Sequence, residues 1–184
     1  HGDEEIFTIK DMKKKFQIYN LGKSPAKFDE NKLNFLNNFY IKKAENLDIL
    51  NNYEKISNKK YQNIFFKQKE ILELISLYKD RSLSLNEIFL NINELSEIKE
   101  NFSEEEKENI KNFESYKDSL VIKFSGIIDW NEENIEECIK ETIQSYQISF
   151  KSIGKPLRLL LTGSILGPSI FRLIKIIGKR ETIK

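Results

Sequence analysis

The sequence predicts an all-α protein, for three reasons. Apolar residues recur at three- and four-residue spacing almost from end to end. Glycine (7) and proline (3) are too scarce for the turns of an all-β fold. The only segment that alternates like a strand, Ser82-Leu83-Ser84-Leu85, is short and reads as a turn entering a helix.

Taken in order, Thr8 can cap a first helix carrying Ile9, Met12 and Phe16 on one side. Residues 20–27, with Gly22 and Pro25, read as a loop. Asp29 can cap a second helix in which Leu33, Leu36 and Tyr40 share a stripe, with Phe35 and Phe39 beside it. A third helical stretch runs near Asn46 to Ile56. Asn58 is expected to cap a long helix with Ile64, Ile71, Leu74, Ile75 and Tyr78 on its inner side. The next helix carries Ile88, Phe89, Ile92 and Leu95, and a polar cluster from Glu97 to Glu104 marks a seam between two helical units.

Beyond the seam, Ser103-Glu104-Glu105-Glu106 fits a capping box: the Ser oxygen takes the N3 amide and Glu106 reaches back to the cap amide. Another helix follows Trp130-Asn131, with Ile135, Ile139, Ile143 and Tyr146 inward. Pro156 to Gly178 reads as two short helices, with Pro156 and Pro168 in first turns and Gly163 and Gly178 at the ends. Arg158, Gly163, Gly167, Pro168 and Arg172 interrupt the apolar run here, which makes core helices of it and not a membrane span.

The composition excludes much chemistry. With 184 residues, 39% apolar and 32% charged, the chain can fill one large domain or two small ones. Its one Cys excludes a disulfide framework, and its one His, at position 1, excludes most imidazole catalysis and zinc binding. Cys138 is surrounded by Glu136, Glu137 and Glu141, which disfavour a reactive thiolate. The pairs Glu132/Glu133 and Glu136/Glu137 read as a solvated helix face and not as an acid–base pair. No Gly-rich phosphate loop follows a strand. No catalytic or metal-ligating residue is therefore assigned. With no secretory signal and no apolar run of roughly 18 residues, no membrane association is expected and the compartment is expected to be cytoplasmic.

A net charge of +1 argues, taken whole, against a nucleic-acid binder. The total hides a gradient. Residues 1–81 hold 16 basic and 12 acidic side chains, residues 82–150 hold 6 and 16, and residues 151–184 hold 8 and 1. Two basic regions flank an acidic block. Within the basic regions, Lys32, Phe35, Tyr40, Lys42 and Lys43 interleave cations with rings, a pattern suited to phosphates and stacked bases. Lys155-Pro156-Leu157-Arg158 is expected to open a helix with free amides and a planar guanidinium. The Gly163-to-Pro168 turn allows close backbone approach to a ligand.

At these residues the sequence resembles the C-terminal region of bacterial glutamyl-tRNA synthetases. The resemblance runs through Glu5-Ile6-Phe7-Thr8, then Phe28-Asp29-Glu30-Asn31-Lys32-Leu33-Asn34-Phe35-Leu36-Asn37 with Tyr40-Ile41, and Arg81 to Leu85. It continues through Pro156-Leu157-Arg158, Leu161-Thr162-Gly163, Gly167-Pro168, Phe171 and Ile177-Gly178-Lys179, all in the family's order. It implies an all-helical chain in three pieces: residues 1–42 ending a domain that contacts the tRNA stem, then two anticodon-binding units at 43–102 and 103–184. It implies a parent glutamate–tRNA ligase that uses ATP and Mg²⁺ in an upstream catalytic domain, so that these residues bind tRNA-Glu, or also tRNA-Gln, without aminoacylating it. A monomer is expected.

The family's site residues carry over position by position. Arg81 matches an arginine that reads the third anticodon base, and Arg158 one near the central base. Gly167 falls where some relatives place a Thr against the first base, which suggests backbone contact, and Ile170 falls where an apolar side chain packs on an unstacked base. Lys32, Phe35, Asn37 and Lys42 match positions near the junction of stem and anticodon loop, with Phe35 in place of a commoner Trp and Lys42 of a commoner Arg. The alternative weighed against tRNA recognition is a helical protein-interaction or scaffold module, motivated by the acidic block and the amphipathic helices.

Overall fold

The computed structural model describes residues 6–20, 22, 27–96, 99 and 101–184. Residues 21 and 23–26 of the expected loop at 20–27, and part of the expected seam at Glu97–Glu104, fall outside them. The described residues form ten α-helices and a short 3-10 turn at Ile18–Asn20, and no strand. The helices are α1 (Ile9–Lys15), α2 (Glu30–Lys43), α3 (Asn46–Ser57), α4 (Gln68–Tyr78), α5 (Leu85–Glu94), α6 (Glu104–Gly126), α7 (Glu132–Tyr146), α8 (Phe150–Thr162), α9 (Ile170–Ile177) and α10 (Lys179–Thr182). None is long and apolar enough to cross a membrane.

Local sequence sets most of the helix starts. Thr8, Asp29, Ser84, Asn131 and Ser169 each accept the backbone N–H three residues on. Ser103 and Glu106 make both bonds of the capping box, at 3.2 and 2.9 Å. Gly163 and Gly178 end α8 and α9 with φ of +69° and +87°, a region open chiefly to glycine.

Two starts differ from expectation. Asn58 does not cap a helix; it ends α3 in the left-handed region, φ 53° and ψ 30°, because asparagine suits either end. The chain then runs extended to α4, and Ile64 lies in solvent, 92% exposed. Side chains hold this stretch: Glu54 accepts Tyr61 N–H at 3.0 Å, and Asn63 accepts the N–H groups of Phe65 and Phe66. The second difference is Pro156, which stands inside α8 and not in its first turn. A proline there leaves the carbonyl of Ser152 without its helical donor. The Tyr116 hydroxyl, from α6, donates to that carbonyl instead. Pro168 precedes the cap Ser169 and lies just outside α9.

One core runs through α3–α9. In its first part α4 packs on α3 and α5 around Leu74, Ile75, Ile88, Phe89 and Ile92. Tyr53 stacks on Phe89 at 3.8 Å between ring centres. In its second part α6 packs on α7 and α8, and α7 on α9, around Leu120, Phe124, Ile135, Ile139 and Ile153. Each such side chain contributes about 1.5–3 kcal/mol through burial. The parts meet where α4 packs on α9, with Lys175 paired to Glu73 at 3.3 Å. By contrast α1 buries no residue and α2 only Ile41.

Candidate nucleic-acid interface

The junction of the two parts forms a cleft of about 820 Å³, lined among others by Tyr78, Arg81, Asn91, Glu94, Lys99 and Gly167. Arg81 reaches it because α4 stops at Tyr78 and the chain turns there: Arg81 N–H donates to the Tyr78 carbonyl at 3.1 Å, and the Ser82 hydroxyl to the same carbonyl. The Arg81 side chain then crosses the cleft and donates from Nη1 to the Gly167 carbonyl at 2.7 Å.

The opposite wall is the turn from Gly163 to Pro168. Arg158, on the last turns of α8, donates from Nη1 to the Pro168 carbonyl. Lys99 grips the start of the turn, with Nζ 2.9 Å from the Gly163 carbonyl and 2.8 Å from a Glu106 carboxylate oxygen. Three cations from three segments thus hold carbonyls of one short turn. A side chain at Gly167 would crowd this arrangement: a Cβ there would lie 3.0 Å from Arg158 Nη1, which would have to shift by a few tenths of an ångström.

The arginines keep most of their capacity. A guanidinium has five N–H donors, and among the described residues Arg81 and Arg158 make no ion pair with a carboxylate. Burial and the neighbouring Arg81 charge lower the pKa of Arg158, but an arginine remains charged at neutral pH. Burial, aided by Glu94 and opposed by Arg158 and Arg81, pushes the Tyr78 phenol up to about 12, so it is protonated.

The structure therefore gathers Arg81, Arg158 and Gly167. It does not bring Ile170 with them: at 1% exposed, that side chain packs in the core and presents no surface to a base. Arg158 also does not stand at a helix N-terminus, because α8 begins at Phe150, and the Gly167 carbonyl expected to face a ligand is occupied by Arg81. Lys32, Phe35, Asn37 and Lys42 lie exposed on α2. At 100° per residue Lys32, Phe35 and Lys42 share one side, whereas Asn37 turns to a groove lined by Ile49 and Leu85. The Asn38 amide ties α2 to the Arg81 turn by donating to the Ser82 carbonyl at 2.9 Å. Sequence reasoning missed Lys99, whose partners Glu106 and Gly163 lie 7 and 64 positions away, and it placed Tyr78 only in the core stripe.

Fold and cleft together define an all-helical module with a donor-rich groove, lined by Arg81 and Lys99 and also by Glu87 and Glu94. The chain belongs to the anticodon-binding domain family, whose model matches residues 53–184. It is 36% identical to the glutamate–tRNA ligase of Wigglesworthia glossinidia brevipalpis, an alignment covering all of this chain and 39% of that protein. It is 32% identical to glutamate–tRNA ligase 1 of Campylobacter hominis, over 98% of this chain and 38% of that one. The crystal structure of a glutamate tRNA ligase from Elizabethkingia meningosepticum in complex with its amino acid superposes with a TM-score of 0.82 at 25% identity, covering 98% of this chain and 36% of that one. The chain thus spans about two fifths of the length of the curated relatives it matches.

Proposed function

We propose that this chain reads the anticodon loop of tRNA-Glu as part of a glutamate–tRNA ligase. In this reading residues 1–42 belong to a stem-contacting domain, and 43–102 and 103–184 are the two anticodon-binding units. The observation that carries it is the pair of arginines, 77 positions apart, that meet on the 163–168 turn with donors to spare and, among the described residues, no carboxylate partner. Anticodon bases are single-stranded and can be splayed, so their Watson–Crick edges are open to such donors. Arg81, at the open side of the cleft, donates to the acceptors of a cytosine at the third anticodon position, and Arg158 holds the turn near the central base. Lys32, Phe35 and Lys42 on α2 contact the RNA towards the stem.

Glutamate activation with ATP and Mg²⁺ belongs to other parts of such a ligase. Among the described residues no group of three or more His, Cys, Asp or Glu side chains is gathered as a metal site requires, and no step of that chemistry is assigned to these residues.

The test is binding of tRNA-Glu transcripts with each anticodon base replaced. Replacement is expected to weaken binding, and Arg81→Gln to lower the preference at the third position by about 1–3 kcal/mol, the worth of a good bidentate contact. Binding indifferent to the anticodon would overturn the proposal.

A further inference from the structure

The cleft contains a group that the family correspondence does not assign. Tyr78 is the last residue of α4, and its ring is 4% exposed in the core. Yet the residue lines the cleft together with Arg81 and Gly167. Its hydroxyl makes no hydrogen bond to any described residue. The Tyr78 carbonyl takes Arg81 N–H and the Ser82 hydroxyl, and Arg81 Nη1 is turned to Gly167. A buried tyrosine usually satisfies its hydroxyl within the protein. Here other tyrosines do so: Tyr61 bonds to Asn93, Tyr116 to Ser152 and Tyr40 to Phe7.

We infer that the Tyr78 hydroxyl contacts the nucleotide that Arg81 holds, and is a specificity-determining residue of the cleft. It rests on the anticodon reading above and names a further residue of that same site. The geometry suits a base edge. The guanidinium of Arg81 supplies only donors, whereas a phenol both donates and accepts. Asn91, on the same cleft, turns its Nδ2 to the Glu87 carbonyl at 2.8 Å and leaves its oxygen as a second acceptor. Together these groups present donors to the two ring-side acceptors of a cytosine and acceptors to its amine. A uracil, with the opposite pattern at two of three positions, meets like against like. The phenol is protonated at neutral pH, as its raised pKa requires, and so can act in either sense.

The experiment compares the protein with its Tyr78→Phe variant, which removes one oxygen and keeps the core ring. Binding of a tRNA-Glu transcript is measured beside a transcript carrying uracil at the third anticodon position, with thermal unfolding recorded for both proteins. The expected result is a 5- to 10-fold weaker Kd for the cytosine transcript, little change for the uracil transcript, and an unchanged Tm. Equal affinity of variant and parent for the cytosine transcript overturns the inference, as does an equal loss on both transcripts, which marks a purely structural hydroxyl. If the unaltered protein does not distinguish the transcripts at all, the anticodon reading itself has failed, and Tyr78 with it.

Discussion

The N-terminal arm and the body of the chain use the same helical patterning to different effect. In α1 the apolar positions Ile9, Met12 and Phe16 recur at helical spacing, yet all three are exposed. In α4 and α7 similar spacing places Ile71, Leu74, Ile75, Ile135 and Ile139 in a closed core. Periodicity makes a helix amphipathic, but only a second apolar face converts the stripe into stability. Apart from the buried Ile41, the α1–α2 arm is joined to itself and to the body by polar contacts, among them Tyr40 Oη to the Phe7 carbonyl at 2.8 Å and Asn38 to Ser82. The body is held by burial.

This contrast can be broken by measurement. The largest effect is expected from Leu74→Ala or Ile139→Ala, which leave cavities at fully buried sites and should lower the urea-unfolding free energy by about 2–5 kcal/mol. Next comes Tyr116→Phe, which strips the donor from the Ser152 carbonyl below Pro156 and should cost about 1–3 kcal/mol in the same assay. Ser103→Ala removes half of the α6 capping box and should cost about 1 kcal/mol. That cap also carries a pH dependence. Lys99, then the Ser103 amide, hold the Glu106 carboxyl below its usual range. Its contribution is therefore full above that range and is lost as pH falls through the lowered folded value, an effect visible as a shallower acid limb in Lys99→Met. The smallest effect is expected from Phe16→Ala or Ile9→Ala in the arm, less than about 0.5 kcal/mol. Arm substitutions that cost as much as Leu74→Ala would show that the exposed stripe is packed in solution.

The sequence made the body's helices legible wherever one signal dominated. Ser103 caps where its spacing says it should, as Thr8 and Asp29 do in the arm, and Gly163 and Gly178 close helices in a region that glycine enters most readily. It misled at Asn58, whose side chain serves both helix ends, and at Pro156, whose tolerance depends on a tyrosine 40 positions earlier in the chain. The cleft was legible only in part for the same reason. Arg81, Arg158 and Gly167 entered through family resemblance, position by position, and their meeting on one turn is a tertiary fact. Ile170 shows the limit: an apolar residue in a matching position reads alike whether it faces a base or the core. Tyr78 is the converse, a core residue by periodicity whose polar tip reaches the cleft.

The grip of Arg81, Arg158 and Lys99 on backbone carbonyls has a kinetic consequence. A carboxylate would fix such side chains equally well but would cancel their charge; a carbonyl dipole fixes the two arginines and leaves them at full charge. The cleft thus holds guanidinium charge beside the Glu87 and Glu94 carboxylates that also line it, in a chain whose total charge is near neutral. On the tRNA reading proposed above, the two guanidinium groups attract the phosphate backbone, so the encounter rate is expected to rise at low ionic strength and to fall as salt shortens the Debye length to about 8 Å at physiological strength. On that reading the partner's arrival depends on the grip on the turn, and its departure on the fit of the bases.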